Sequence, residues 1–169
     1  LEPEDLLNQK YRVARFPRSA EYDMEWVQQN EMGPNVLWMT EALTQVMTLE
    51  PGMRVLDLGC GTAMSSIFLA KEFGCQVWAV DLWVKPTENY QRIKEAGLED
   101  QVFPIRAEAH DLPFANDFFD AVVSIDSYHY FGTDVHYLEF HLLKLLKPEG
   151  QIGIVSPASP KELPRPLPD

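Results

Sequence analysis

The chain has 169 residues, 46% of them hydrophobic and 24% charged, which supports one folded domain with a sizeable core and excludes a disordered chain. The formal net charge of -12 opposes a phosphate backbone and an anionic membrane surface, so the expected partner is a small molecule and neither nucleic acid nor membrane. No apolar run reaches membrane-spanning length, the acidic opening LEPEDLLNQKYR lacks the order of a signal peptide, and two scattered cysteines, Cys60 and Cys75, form neither a disulfide framework nor a metal set, so the expected setting is cytoplasmic and the expected metal content none.

In chain order, residues 1–35 read as an N-terminal helical arm or cap with interspersed aromatics, closed by a Gly33-Pro34-Asn35 turn. A helix is expected over 36–48, where Val36, Met39, Leu43, Val46 and Met47 recur at helical spacing. Pro51-Gly52 breaks it. Strands and helices then alternate: a strand over 53–58, a helix over 62–73, a strand over 76–80, and a helix over 86–96 with Pro86 in its first turn. Strands follow over 101–106 and 119–124, then a helix over 134–146 ended by Lys147-Pro148-Glu149-Gly150, and a fifth strand over 151–155. This order predicts an α/β fold, a doubly wound, mostly parallel sheet with helices on both faces and right-handed crossovers. The ligand-binding unit spans 36–156. Residues 157–169 carry five prolines and form a tail that no helix or central strand can absorb.

The chemistry concentrates in Val55-Leu56-Asp57-Leu58-Gly59-Cys60-Gly61-Thr62, an apolar strand running through a glycine turn into a helix, with Asp81 20 residues after Gly61 at the end of the next strand. Glycines let the backbone approach a nucleotide closely, and an acidic residue there accepts ribose hydroxyls. A dinucleotide fingerprint asks for a third glycine where Met64 stands, and a carboxylate at Asp57 opposes a pyrophosphate. The same carboxylate suits the ammonium group of S-adenosylmethionine, directly or through water, so the turn favours that ligand over a nicotinamide dinucleotide.

With VLDLGCGTA, VWAVDL, AEAHDLPFANDFFDAVVSIDSYHYF and LLKLLKPEGQIGI in this order, residues 53–155 resemble the class I (Rossmann-like) S-adenosylmethionine-dependent methyltransferases, the small-molecule branch that includes ubiquinone and menaquinone biosynthesis enzymes. The resemblance implies S-adenosylmethionine as cofactor and S-adenosylhomocysteine as product. It implies that Gly59, Cys60, Gly61 and Thr62 form the cofactor turn, that Asp57 faces the methionine amino group, and that Asp81 holds the ribose. Leu82 would pack on adenine, Glu108 would accept from its amine, and the Ala109 N–H would face a ring nitrogen. Ser124, Ile125 and Asp126 would lie beside the sulfonium, with Tyr128, His129 and Tyr130 near the acceptor.

Other readings stay open at several of these positions. Asp81 and Glu108 also read as solvated loop acids, Asp126 as a helix cap, His129 as a packed or exposed loop histidine, and His136 and His141 as structural helix residues. Cys60 reads as a small packing residue. Methyl transfer is an in-line displacement, so alignment and exclusion of water are the protein's main tasks, and a base is required only for a protonated nucleophile. His129 is the leading base in this reading, followed by Tyr128, Tyr130 and Asp126. Family members continue past the fifth strand with a further helix and two strands, whereas this chain ends at Asp169, so a core truncated after the fifth strand is expected. The leading function is methyl transfer to a small molecule. The alternatives are a non-catalytic S-adenosylmethionine-binding regulatory or partner domain, and a nicotinamide-dependent oxidoreductase, which Asp57 and Met64 disfavour.

Overall fold

The computed structural model describes residues 13–158; the first part of the expected arm and most of the proline-rich tail lie outside the described residues. A short 3-10 turn at Ser19–Glu21 leads into α1 (Met24–Asn30) and α2 (Val36–Thr44). Side-chain oxygens of Asp23 and Asn35 cap these two helices, accepting from the backbone N–H of Trp26 and Trp38. Then follow β1 (Arg54–Leu58), α3 (Met64–Phe73), β2 (Gln76–Asp81), α4 (Pro86–Glu95), β3 (Val102–Arg106), β4 (Phe119–Ile125) and β5 (Leu146–Val155).

The five strands form one parallel sheet in the order β3-β2-β1-β4-β5. The order reverses between β1 and β4, which places the switch point, and with it the expected ligand crevice, at the carboxyl end of β1. Side chains alternate across the sheet. Val55, Val77, Ala79, Ala121 and Val123 pack on one face against Ile67, Phe68, Ile93 and Leu37. Leu56, Leu58, Val80, Phe119 and Val122 pack on the other against Tyr137, Leu142 and Leu145. Tyr22, Met24 and Val27, from the segment before α2, are buried in the first of these cores, so the described part of the arm is built into the domain rather than appended to it.

Two expected elements differ. The helix expected over 134–146 is a single wide turn at Leu138–Leu142 with i→i+5 character, followed by a 3-10 turn at Leu143–Leu145. The buried positions here are Tyr137, Leu142 and Leu145, and a five-residue step between the first two matches the wider turn, not the α-helical repeat. Residues 147–150, expected to stop a helix, lie within β5, where Glu149 at φ 65 and a register shift opposite Phe119 and Ala121 mark a bulge. No described helix is long and apolar enough to cross a membrane.

Candidate cofactor and acceptor site

A cleft of about 290 Å³ opens where β1, β2 and β4 end. Its floor is the glycine turn: Gly59, Cys60, Gly61 and Thr62 all line it. The turn is held from several directions. Gly59 and Cys60 donate their N–H groups to Val80 O, and the Gly61 N–H donates to Asp81 Oδ2 at 2.8 Å. A side chain at Gly59 (φ 75) would meet the Ser127 hydroxyl at 2.5 Å, and one at Gly61 (φ 54) would meet Met32 Sδ at 2.9 Å. Only glycine allows the chain to curve here and leave the cleft open.

Asp81 is nearly buried and spends its carboxylate on backbone. Oδ1 accepts from the N–H groups of Trp83 and Val84, at 2.7 and 2.8 Å, while Oδ2 takes Gly61. The side chain lines the cleft as well, and with three of its roughly four acceptor positions taken by backbone, one is left open. Leu82, half exposed, lies beside it. Glu108 and Ala109 wall the same end. Glu108 Oε2 accepts the backbone N–H of His110 at 2.8 Å, and Oε1 is 2.9 Å from His110 Nδ1; this side-chain hydrogen bond, with the backbone bond and the imidazole charge, holds the carboxyl below the usual range.

Asp57 is fully buried beneath the turn and does not itself line the cleft, although Leu58, Gly59 and Ser65 around it do. Its Oδ2 accepts from the hydroxyls of Ser65 and Ser66, each at 2.6 Å, while Oδ1 has no partner. Burial pushes its carboxyl up to about 6, against the two serine hydrogen bonds, with the nearby Asp81 charge adding to the rise. An unfilled acceptor on a buried carboxylate next to the cleft fits a cationic ammonium group and would be aggravated by a phosphate.

At the end of β4, Ile125 and Asp126 line the cleft, and Asp126 sits in the left-handed region at φ 54. Ser124 lies behind the wall; its hydroxyl pairs with that of Ser127 at 2.7 Å, and Ser127 donates to Leu58 O. Of the residues expected around the acceptor, Asp126 and Tyr130 are on the lining. Tyr128 is turned into the second core, where it packs on Phe131 and Tyr137. His129 is exposed, its ring tilted against that of Tyr130 with centroids 4.2 Å apart. The 3-10 turn at Tyr128–Tyr130 points successive side chains in different directions, so of the three only Tyr130, with Phe131 after it, reaches the cleft.

Three further contributions bring in residues that sequence reasoning passed over, the last of them together with Tyr130. Met32, Pro34, Val36 and Met39, from around the α1–α2 turn, make an apolar wall. Asn30 and Asn89 brace the glycine turn from behind: Asn89 Nδ2 donates to Gly61 O at 2.9 Å, Thr62 donates its hydroxyl to Asn30 O at 2.7 Å, and Arg92 donates to the Oδ1 of both asparagines. Only the Gly-Pro-Asn turn after Met32 marked that region in the sequence. Trp83 and Tyr130, both exposed, meet edge to face across the mouth, 5.2 Å between centroids.

The lining thus carries three carboxylates, Asp81, Glu108 and Asp126, and no Lys, Arg or His among the described residues. Such a cleft attracts a cation and repels a pyrophosphate.

A family model described as a methyltransferase domain matches residues 55–150. A methyltransferase of Streptomyces halstedii, GfsG, is 32% identical over 117 residues, covering 69% of this chain and 42% of that protein. A demethylmenaquinone methyltransferase of Clavibacter sepedonicus is 37% identical over 129 residues, covering 76% and 51%. The chain therefore spans about half the length, or less, of these relatives. Among solved structures, the [4+2]-cyclase SpnF aligns with a TM-score of 0.63 at 25% identity, covering 69% of this chain and 43% of that one. A S-adenosylmethionine-dependent methyltransferase from Thiobacillus denitrificans, in complex with S-adenosylhomocysteine, shares the fold with a TM-score of 0.63 at 23% identity, covering 74% and 50%.

Proposed function

The chain belongs to the methyltransferase-domain family, class I and S-adenosylmethionine-dependent, and from that premise we propose that it transfers a methyl group to a small, largely apolar acceptor that carries one polar nucleophile. The observation that supports this reading best is a carboxylate-lined cleft built on a glycine turn, with no basic side chain in its lining among the described residues. S-adenosylmethionine supplies a methyl group on a cationic sulfur, and that charge is what an acidic cleft favours over a dinucleotide. In this reading Asp81 accepts from the ribose hydroxyls, Glu108 from the adenine amine, and the buried Asp57 balances the methionine ammonium group.

The acceptor end is proposed to lie between Asp126 and the apolar wall of Met32, Val36, Met39 and Phe131. Apolar side chains there exclude water, and Asp126 holds or takes the proton of the nucleophile. A left-handed backbone at a non-glycine residue is tolerated by Asp and aims its side chain away from the direction that β4 would otherwise dictate. The polyanionic acceptors, nucleic acid among them, fit poorly with the cleft and with the net charge of -12.

The test is transfer of labelled methyl groups from S-adenosylmethionine to a metabolite extract, with parent and Asp126→Asn proteins compared. Asn tolerates the same backbone region, so the expected result is a tenfold or greater loss of transfer, of the order of a lost general base, with S-adenosylhomocysteine affinity kept. No transfer by the parent, with tight S-adenosylhomocysteine binding, would favour the second reading: a domain that binds the cofactor without transferring its methyl group. That reading draws on the similarity to a [4+2]-cyclase and on the lack of a histidine in the described lining.

A further inference from the structure

Glu108 is a long side chain at the cleft, and 48% of it is exposed. Left to itself, such a side chain samples many rotamers, and a ligand that used its carboxylate would have to immobilise it first. Here it is not left to itself. Both oxygens are engaged by one neighbour: Oε2 accepts the His110 backbone N–H at 2.8 Å, and Oε1 lies 2.9 Å from His110 Nδ1. A carboxylate accepts at about four lone-pair positions, so two remain for a ligand.

The imidazole that makes this contact is itself fixed from elsewhere. Its ring meets Tyr137 edge to face at 4.8 Å and His141 at 5.0 Å. Tyr137 is fully buried, stacks on His141 at 5.3 Å, and donates its hydroxyl to Ala109 O at 2.9 Å. Tyr137 and His141, four residues apart at the wide turn Leu138–Leu142, stand on the same side. Packing therefore orients the ring independently of Glu108, and the carboxylate in turn keeps the ring proton on Nδ1.

We infer that His110 is a positioning residue for cofactor recognition: clamped by Tyr137 and His141, it presents an N–H that pre-aims the Glu108 carboxylate at the adenine amine. The inference rests on the reading above that Glu108 accepts from that amine. Its consequence is base selectivity. A pre-aimed carboxylate favours adenine, which offers an N–H donor, over hypoxanthine, which offers a carbonyl at the same place and leaves two acceptors face to face.

The experiment measures binding of S-adenosylhomocysteine and of its hypoxanthine counterpart, S-inosylhomocysteine, to the whole chain by calorimetry. The proteins are the parent, Glu108→Ala, His110→Phe and His110→Asn. Phe keeps the ring packing and removes the donor; Asn keeps a donor at similar reach and removes the ring. The parent is expected to prefer the adenine ligand by about tenfold, Glu108→Ala and His110→Phe to lose about threefold or more of that ratio, and His110→Asn to retain it. Thermal melts accompany each variant, and His110→Leu replaces the Phe variant if that one does not fold. If Glu108→Ala keeps the full preference, Glu108 does not read adenine and the inference falls with that reading. If Glu108→Ala loses the preference while both His110 variants keep that of the parent, Glu108 reads adenine without help and the positioning role of His110 is overturned; loss in both His110 variants overturns the role of the donated N–H.

Discussion

Asp81 Oδ2 accepts the backbone N–H of Gly61 at 2.8 Å, so the residue that ends β2 also closes the turn that ends β1. The same carboxylate satisfies Trp83 and Val84, and it is only 8% exposed. Asp81→Ala strands three N–H groups at the edge of the core. It is expected to lower the stability of the ligand-free protein by about 2 kcal/mol or more, besides weakening cofactor binding. Asp81→Asn keeps one acceptor oxygen and is expected to fall between. Urea melts without ligand check this; an unchanged midpoint for Asp81→Ala would leave the carboxylate with a ligand role alone.

Asp57 carries a stability penalty that depends on pH. Its folded carboxyl is pushed up to about 6 from an ordinary 3.8, chiefly by burial. The folded state therefore holds the proton more tightly than the unfolded chain. The stability this provides is complete below the unfolded value, and is lost as pH rises through the folded value, a change on the order of 3 kcal/mol. Asp57→Asn removes the charge while still accepting from Ser65 and Ser66. The variant is expected to be more stable than the parent near neutrality, with the advantage shrinking toward pH 4 or so, and to bind S-adenosylhomocysteine less well. A stability difference independent of pH across that window would refute it.

Gly59 and Gly97 share the left-handed backbone, at φ 75 and 67, and differ in what surrounds them. An added Cβ at Gly97 meets nothing, whereas at Gly59 it meets the Ser127 hydroxyl that bridges Ser124 and Leu58. Gly97→Ala should cost about 1 kcal/mol from backbone strain alone, and Gly59→Ala at least about 2 kcal/mol more through the clash. Equal costs in chemical denaturation would mean that Ser127 yields freely.

Asn89 is buried and bridges Gly61 O to Arg92. Asn89→Leu keeps the volume and leaves the Gly61 carbonyl and a guanidinium N–H without their partner, so a loss of about 1–3 kcal/mol is expected. Because the glycine turn loses its brace, S-adenosylhomocysteine affinity should fall too. A variant that melts early yet binds normally would separate the brace from the cofactor site.

His129 lies in the turn at Tyr128–Tyr130. It is exposed beside Tyr130, off the cleft lining. His129→Ala is expected to change methyl transfer by less than about threefold, against the roughly hundredfold effect that loss of a general base can bring. A hundredfold loss with intact cofactor affinity would return the proton-accepting role to His129.

What the sequence determined by itself was everything written in local pattern. The five strands, the two helices between the first three of them and the glycine turn were legible because alternation, Pro51-Gly52 and Gly59-Cys60-Gly61 act over a few residues, where backbone sterics decide the outcome. The order of those elements was enough for a doubly wound sheet, and that sheet dictates where its ligand cleft opens. Tertiary structure decided what local pattern could not express. Residues 134–146 have helical composition, yet the burial of Tyr137, Leu142 and Leu145 on the sheet selects a wider turn. Tyr128 and His129 are close in sequence to Asp126 but turn away from the cleft, because one packs into the core and the other lies exposed against the Tyr130 ring. Asn30 and Arg92 meet across 62 residues, and Asn89 reaches Gly61 across 28; pairs so distant exist only once β1, α4 and α1 have been packed, since no periodicity within either segment specifies the other.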